Sequence, residues 1–385
     1  MRNSATWRRL GGWMCVLLLG PLGGGCPALL TGLTDDTEPV PVISTPPAIT
    51  STATHSGSTV NLSDAQSLGL GADKRQARFR GTIARRGDIG FYSLGWLETG
   101  DRIVVDVQRI SGNLDAVAGV FDSEQSLVFI NDDRNVDGTN LNPYIDFALP
   151  GASGEYFLGV IAFPGSSTTG DFEVSVVIQP AVGAAPPRQQ IVFLNWAGGS
   201  NIRVLYVGTF NLPPFSATDV GLPAEQTAPL KVRVQEIVAD RYRGYNVLVL
   251  NSDDHAVPIG PHSTVHFGGR DPDAFAISQQ VDSLNQDPAD DAIVFTQTFQ
   301  LAFRAPYTLE EMAQALGNTT AHEIGHLLGL SHTADCDCLM DTTCYNERLM
   351  SPQEFKLAPL DFSVFPFGYQ DARELLMWAV GFISG

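Results

Sequence analysis

The sequence is poor in basic residues and in charge overall. It has 23 Lys and Arg against 42 Asp and Glu, a formal net charge of −19. This acidity argues against nucleic acid and against an anionic membrane surface as electrostatic partners. Only 17% of the residues are charged and 44% are hydrophobic. The 385 residues are therefore not a disordered chain, and they suffice for two ordinary domains with their own cores.

An apolar stretch near the N-terminus, residues 10–22, is too short for a membrane span. Three arginines precede it: Arg2, Arg8 and Arg9. This pattern predicts a signal peptide over residues 1–25. Three glycines then precede Cys26, which resembles the lipobox of bacterial lipoproteins, although Leu22 lies four rather than three positions before the cysteine. We expect export and lipid anchoring through Cys26 at the bacterial cell envelope or surface; secretion after plain cleavage is the alternative.

One short stretch has the pattern His-Glu-x-x-His-x-x-Gly-x-x-His. His322 and His326 are four residues apart, so on a helix both imidazoles lie on one face and can share a metal ion. Gly329 accepts a positive φ, which lets the helix stop and turn so that His332 becomes a third ligand. Three nitrogen ligands leave one position on zinc open for a water, and Glu323 is placed to take its proton.

This extended pattern resembles the metzincin clan of zinc metalloproteases. The plain alternative is an amphipathic helix whose two histidines face solvent or a core, but it explains neither the glycine nor the third histidine. The resemblance implies an α+β catalytic domain with a mixed twisted sheet, an active-site helix and a C-terminal helix. It also implies a zinc endopeptidase that acts on protein or peptide substrates.

The residues before the motif predict how its helix begins. Thr308 and Glu311 form a capping-box pattern for a short helix over residues 309–316, which Gly317 and Asn318 would end. A second helix, capped by Thr319 or Thr320, would then carry the ligands.

Further upstream the composition changes twice. Residues 26–62 are rich in Thr, Ser and Pro and are typical of an extended tether. Residues 63–180 contain short alternating runs between turn residues, which predicts an antiparallel β-sandwich. The segments that begin at Gly87, Leu114, Asn131 and Gly154 resemble, in their order, the bacterial pre-peptidase C-terminal domain. That resemblance implies an accessory role without chemistry.

An acidic turn in this region offers oxygen ligands for calcium. Its members are Asp132, Asp133 and Asp137. A solvated turn without Ca²⁺ is the favoured interpretation.

A Pro/Ala/Gly linker over residues 181–189 leads to a catalytic domain over residues 190–385. The hydrophobic pattern predicts strands and two helices around the motif. The expected strands cover residues 190–194, 245–250, 265–267 and 292–295, the second of them buried, and the expected helices cover residues 223–242 and 371–380.

The metzincin resemblance implies a methionine in a turn beneath the zinc. Met350 is preferred because the pattern around it is similar to bacterial and pappalysin-like members, and Met340 is the alternative; an ordinary core role is the plain reading of either. Astacins and serralysins have a zinc-contacting tyrosine two residues after the turn methionine, whereas Thr342 and Pro352 occupy those positions here. Tyr345 is not assigned.

Three cysteines follow the third histidine. In an exported protein they favour a disulfide of Cys336 or Cys338 with Cys344, since Cys336 and Cys338 are too close together to bridge without strain. A second zinc site from all three is a weaker alternative, because structural zinc normally takes four protein ligands.

Two rival functions stay open at this point. A gluzincin would take a downstream glutamate, Glu347, as third ligand in place of His332. A non-catalytic surface lipoprotein would have a structural zinc site and a partner-binding β-sandwich. The remaining histidine group is interpreted as structural or surface, because its surroundings are β-like: His255, His262 and His266.

Overall fold

The computed structural model describes residues 62–383 apart from 136, 137, 206 and 343. Three short strands nearer the N-terminus are also described: β1 (Val16–Leu18), β2 (Ile49–Thr50) and β3 (His55–Ser56). Cys26, Asp137, nearly all of the predicted signal peptide and most of the tether lie outside the described residues. Within the described part, every helix is too short or too polar to cross a membrane.

The first half of the described chain is a β-sandwich, as expected. Its further strands are β4 (Gln66–Ser67), β5 (Gln76–Ile83), β6 (Asp88–Leu97), β7 (Arg102–Arg109), β8 (Ala116–Asp122), β9 (Leu127–Asn131), β10 (Tyr144–Ala148), β11 (Gly154–Ala162) and β12 (Gly170–Gln179). One sheet has the order β10-β7-β12-β5-β2 and the other β3-β6-β11-β8-β9, with β4 beside β6. Their facing sides share one apolar core.

The second of these sheets is buried on both faces. Strand β8 is buried at every position but its last, which agrees with the uninterrupted apolar run at residues 116–121. Its inner side chains join the sandwich core, and its outer ones pack against Leu360, Val364 and Phe365 near the C-terminus. The sandwich and the C-terminal half therefore share buried surface.

The second half is a mixed α/β layer structure. Its strands are β13 (Gln190–Asn195), β14 (Gly199–Val204), β15 (Gly208–Leu212), β16 (Val247–Asn251), β17 (Ser263–Phe267), β18 (Ala274–Ser278), β19 (Asp291–Val294), β20 (Leu357–Pro359) and β21 (Tyr369–Asp371). Its helices are α1 (Thr227–Arg241), α2 (Thr296–Ala302), α3 (Leu309–Leu327) and α4 (Ala372–Val380).

The main sheet of this half has the order β1-β18-β19-β17-β13-β16. Strands β16, β13, β17 and β19 are parallel, whereas β18 runs antiparallel to β19. The expected buried strand at residues 245–250 is corrected here: β16 lies at the sheet edge and Leu248 is exposed. An apolar run alone does not distinguish an edge from a central position. Strand β18 and helix α2 were not expected.

The two helices expected between residues 309 and 327 are one continuous helix, α3. Its capping box is confirmed, because Thr308 accepts from the Glu311 amide and the Glu311 carboxylate accepts from the Thr308 amide. Gly317 does not end the helix. A Cβ there would lie 2.5 Å from the Ile237 side chain, so this glycine permits close packing of α1 on α3.

Candidate active site

Three histidine side chains converge at the end of α3. The Nε2 atom of His322 lies 2.9 Å from that of His326 and 3.2 Å from that of His332. Ligands of one tetrahedral zinc, each at about 2.0–2.1 Å, are separated from one another by about 3.3 Å. All three residues are buried, and their ligand atoms fall into one group able to hold a metal ion. The predicted ligand set is thus brought together, and it fits zinc.

Hydrogen bonds orient two of these rings toward the metal position. Nδ1 of His322 donates to the Leu339 carbonyl at 2.7 Å, and Nδ1 of His326 donates to the Leu330 carbonyl at 2.6 Å. The proton assignment follows from the carbonyl acceptors, and it leaves each Nε2 with a free lone pair.

Burial also keeps the histidines neutral. Burial lowers the pKa of His322 to about 3 and that of His332 to about 4, and it lowers the pKa of His326 as well. Since a metal ligand must be unprotonated, the three imidazoles are ready to bind at neutral pH.

Gly329 makes the turn that delivers the third ligand. Its φ is +93°, and its amide donates to the His326 carbonyl at 2.9 Å. A Cβ there would lie 2.7 Å from the Asp282 carbonyl oxygen and 2.8 Å from the Leu284 nitrogen. Both the backbone conformation and the close contact therefore require glycine.

Glu323 lies next to the ligands and is completely buried. Neither of its carboxylate oxygens makes a hydrogen bond of good geometry with a described residue, although Ser278 lies nearby. Burial raises its pKa well above the ordinary value, and nearby Ser278, at the end of β18, offsets part of that rise. A buried carboxylate with both oxygens unsatisfied is costly, so these atoms indicate a position for a further polar group such as water.

The methionine beneath this site is Met340. It is fully buried, and a Cβ at Gly325 would lie only 2.6 Å from its sulfur, so it packs against the turn of α3 between the two helical ligands. Met350 ends a 3₁₀ helix, Asn346–Met350, and is only half-buried. Met340, the alternative candidate, therefore lies beneath the ligands, and the preferred Met350 does not. Gly325 has no side chain and so leaves room for that of Met340.

A disulfide closes the loop that carries Met340. Cys336 and Cys344 are bonded, with their Cα atoms 5.6 Å apart, while Cys338 is buried and free. Of the two pairings left open, the structure selects the first. A zinc site made from all three thiols is excluded, because two of them are oxidised. The same loop contains Leu339, whose carbonyl orients His322.

The other sequence candidates lie away from the metal ligands. Glu347 and Tyr345 are exposed, and the group of ligand atoms that the three histidines form does not include the Glu347 carboxylate, contrary to the gluzincin hypothesis. His255 is exposed, His262 is half-buried, and Nδ1 of His266 lies 3.0 Å from the side-chain nitrogen Nδ2 of Asn195. These placements agree with structural or surface roles.

Two further residues hold the site and were missed in the sequence. Gln370 is buried, and its amide pairs with both backbone groups of Ser331, at 2.6 and 2.8 Å. Asn318, one turn before His322, donates to the carbonyls on either side of Met350. Nothing in the local sequence signals either role, since both depend on distant backbone.

Comparison with known proteins supports this interpretation of the C-terminal half. Residues 252–365 match the family model described as Matrixin, peptidase family M10. That segment contains all three histidines, and the resemblance to metzincin zinc metalloproteases is thereby confirmed over it. No curated protein matches the sequence.

Solved structures show distant similarity to both halves. An archaemetzincin from Methanopyrus kandleri is 14% identical, covering 43% of this chain and 89% of its own, with a TM-score of 0.27. Metalloproteinase-II from Bacteroides fragilis is 11% identical, covering 83% and 93%, with a TM-score of 0.27. The pre-peptidase C-terminal domain of a Bacillus anthracis collagenase is 14% identical, covering 26% and 89%, with a TM-score of 0.22. The family match and the ligand geometry, rather than these low similarities, support a zinc metallopeptidase.

Proposed function

We propose that this protein is a zinc-dependent endopeptidase that hydrolyses peptide bonds of extracellular proteins. The observation that carries the proposal is the convergence of three neutral imidazole nitrogens beside the unsatisfied carboxylate of Glu323. Three protein ligands are typical of a catalytic zinc, whereas a structural zinc is closed by four.

The roles of the residues follow from their positions. His322, His326 and His332 would hold the zinc, which when bound acidifies a water and polarises the substrate carbonyl. Glu323 accepts a proton from the attacking water as the new C–O bond forms. It then donates that proton to the amide nitrogen as the C–N bond breaks. The raised pKa of the buried Glu323 favours holding the proton between the two transfers.

Strand β18 supports a peptide as the substrate. It is antiparallel to β19, and Ser278 at its end lies near Glu323. Its other side pairs with β1, which lies within the predicted signal peptide. Removal of residues 1–25 would free this edge, and a free strand edge next to a site accepts an extended peptide by backbone hydrogen bonds.

Replacing Glu323 tests the assigned role. The substitution Glu323→Gln keeps the shape of the side chain but removes the base, so we expect cleavage of casein or gelatin to fall by about 10²–10⁴-fold. Zinc content, measured by mass spectrometry, should stay at the wild-type level. The comparison variant His332→Ala should lose both zinc and activity. Full activity in a zinc-loaded Glu323→Gln protein would refute the assignment.

The rival function, a non-catalytic lipoprotein with structural zinc, gives a different result in the same assay. It predicts stoichiometric zinc in the wild-type protein and no hydrolysis of casein or gelatin, with or without a chelator. The endopeptidase proposal predicts hydrolysis that the chelator abolishes and added zinc restores.

We also infer that the chain is exported and lipid-anchored through Cys26. The basic and apolar residues before Cys26 support export, and the Cys336–Cys344 disulfide fits an oxidising compartment. Metabolic labelling with a fatty-acid analogue should mark the wild-type protein and not a Cys26→Ser variant. Equal labelling of both, or of neither, would contradict the anchor.

A further inference from the structure

The outer face of one sandwich sheet carries a cluster of aromatic rings that reaches into the catalytic half. The Phe121 ring centre lies 5.0 Å from that of Phe365 and 5.6 Å from that of Phe367. Phe91 lies 4.7 Å from Phe367. Phe91 and Phe121 belong to the sandwich, whereas the other two belong to the segment before α4. This cluster joins strands β6 and β8 to residues 360–368.

Two glycines allow the sandwich and this segment to approach each other closely. A Cβ at Gly159, in the sandwich, would lie 2.8 Å from the Phe365 ring. A Cβ at Gly368 would lie 2.7 Å from the Gln125 carbonyl oxygen, and the neighbouring Tyr369 amide donates to that same oxygen at 3.0 Å. The sandwich therefore fixes both the side chains and the backbone of this segment.

The opposite side of the segment holds the third metal ligand. The Asp361 amide donates to the His332 carbonyl at 3.0 Å, and the Ala334 amide donates to the Pro359 carbonyl at 2.9 Å. Leu360 forms a β-bridge with Thr333. His332 is the ligand that lies beyond helix α3, so its position depends on these tertiary contacts rather than on the helix.

We infer that the β-sandwich is a positioning part of the metal site. Its outer face holds residues 360–368, and their backbone holds His332 where its Nε2 meets the other two ligands. The inference rests on the proposed function only in requiring that the three histidines bind zinc. The outer face of the sheet that contains β6 and β8 then serves the enzyme's own metal site. Because residues 360–368 cover this face, it is unavailable to a separate partner.

A matched pair of substitutions in the sandwich tests this role. Phe121 faces the segment, whereas Phe172 faces the inner sandwich core, and both are completely buried. Phe121→Leu and Phe172→Leu should each lower the melting temperature of the full-length protein. Zinc dissociation constants are then measured by chelator competition, at a temperature where both variants are folded.

We expect Phe121→Leu to raise the zinc dissociation constant about three- to tenfold, less than the roughly 10–100-fold typical of losing a direct partner of a ligand. Phe172→Leu should leave it unchanged. Phe365→Leu, which cuts the same contact from the other side, should reproduce the effect and serves if Phe121→Leu does not fold. An unchanged constant in both contact variants, or an equal rise in Phe172→Leu, would overturn the inference. Absence of zinc binding in the wild-type protein would instead overturn the proposed function.

Discussion

Gly329 combines two constraints in one residue. Its φ of +93° is unfavourable for any side chain, and its Cα hydrogen faces backbone atoms of residues 282–284. Gly244 has nearly the same φ, +92°, but nothing lies within 4 Å of a Cβ built there. Alanine substitutions at these two glycines therefore separate the free-energy cost of a left-handed backbone from that of a close contact.

We expect Gly244→Ala to lower the free energy of unfolding by about 1–2 kcal/mol, the cost of left-handed backbone. Gly329→Ala should cost about 1–3 kcal/mol more, because the new methyl group overlaps Asp282 and Leu284. It should also reduce zinc content, since His332 follows the turn. Denaturant titration and metal analysis provide the measurements; equal losses in the two variants would show that the contact contributes nothing.

At the scale of elements, α3 packs closely against α1 at Gly317. Gly317 lies in the middle of α3, where alanine normally stabilises a helix by about 1 kcal/mol. Here a methyl group would overlap the Ile237 side chain at 2.5 Å. We therefore expect Gly317→Ala to destabilise the protein, by about 1–3 kcal/mol in thermal or chemical unfolding.

A second substitution tests whether contact with Ile237 is the reason that alanine destabilises the helix at this position. In an Ile237→Ala background the Cγ2 atom at 2.5 Å is removed and only the Cβ atom at 2.8 Å remains, so Gly317→Ala should become clearly less destabilising. A destabilising effect of the same size in both backgrounds would mean that the contact with α1 is not its cause.

Strand β19 provides a prediction about pH. Asp291 accepts from the Thr264 amide at 3.0 Å, and burial raises its pKa to about 6 from 3.8. The folded state thus binds the proton more tightly than the unfolded state. The stability from this group is present below pH 4 and is lost as pH rises through 6, about 3 kcal/mol in all.

Asp291→Asn keeps the acceptor and removes the titration. The variant should therefore gain stability relative to the wild-type protein between about pH 4 and pH 7, as measured by chemical denaturation at a series of pH values. A difference between the two proteins that does not change with pH would contradict the shift at Asp291.

At the scale of the whole molecule, the two halves share a buried cluster formed by the outer sandwich face and residues 360–367. Domains joined by small polar interfaces unfold separately, whereas a large apolar interface couples them. We expect one calorimetric transition for the full chain, with equal calorimetric and van't Hoff enthalpies. Removal of zinc should shift that whole transition to lower temperature. Two resolved transitions, with only one sensitive to zinc, would contradict the coupling.

Much of the fold follows from local patterns. The alternating runs predicted the sandwich, and the capping box at Thr308 predicted where α3 begins. The break expected at Gly317 was wrong, because a glycine that ends a helix and one that admits a neighbouring helix look alike in sequence. Strand β18 was missed because residues 274–278 are buried throughout and do not alternate.

The sequence by itself determined which residues form the candidate metal site. His322, Glu323 and His326 lie about one turn apart on a single helix, so their relative positions depend on local backbone geometry, and Gly329 marks the turn that leads to His332. The tertiary structure decided which methionine lies beneath the ligands, which cysteine bonds to Cys344 and what holds His332 in place. Those choices depend on contacts between residues far apart in the chain, and spacing along the sequence does not encode such contacts.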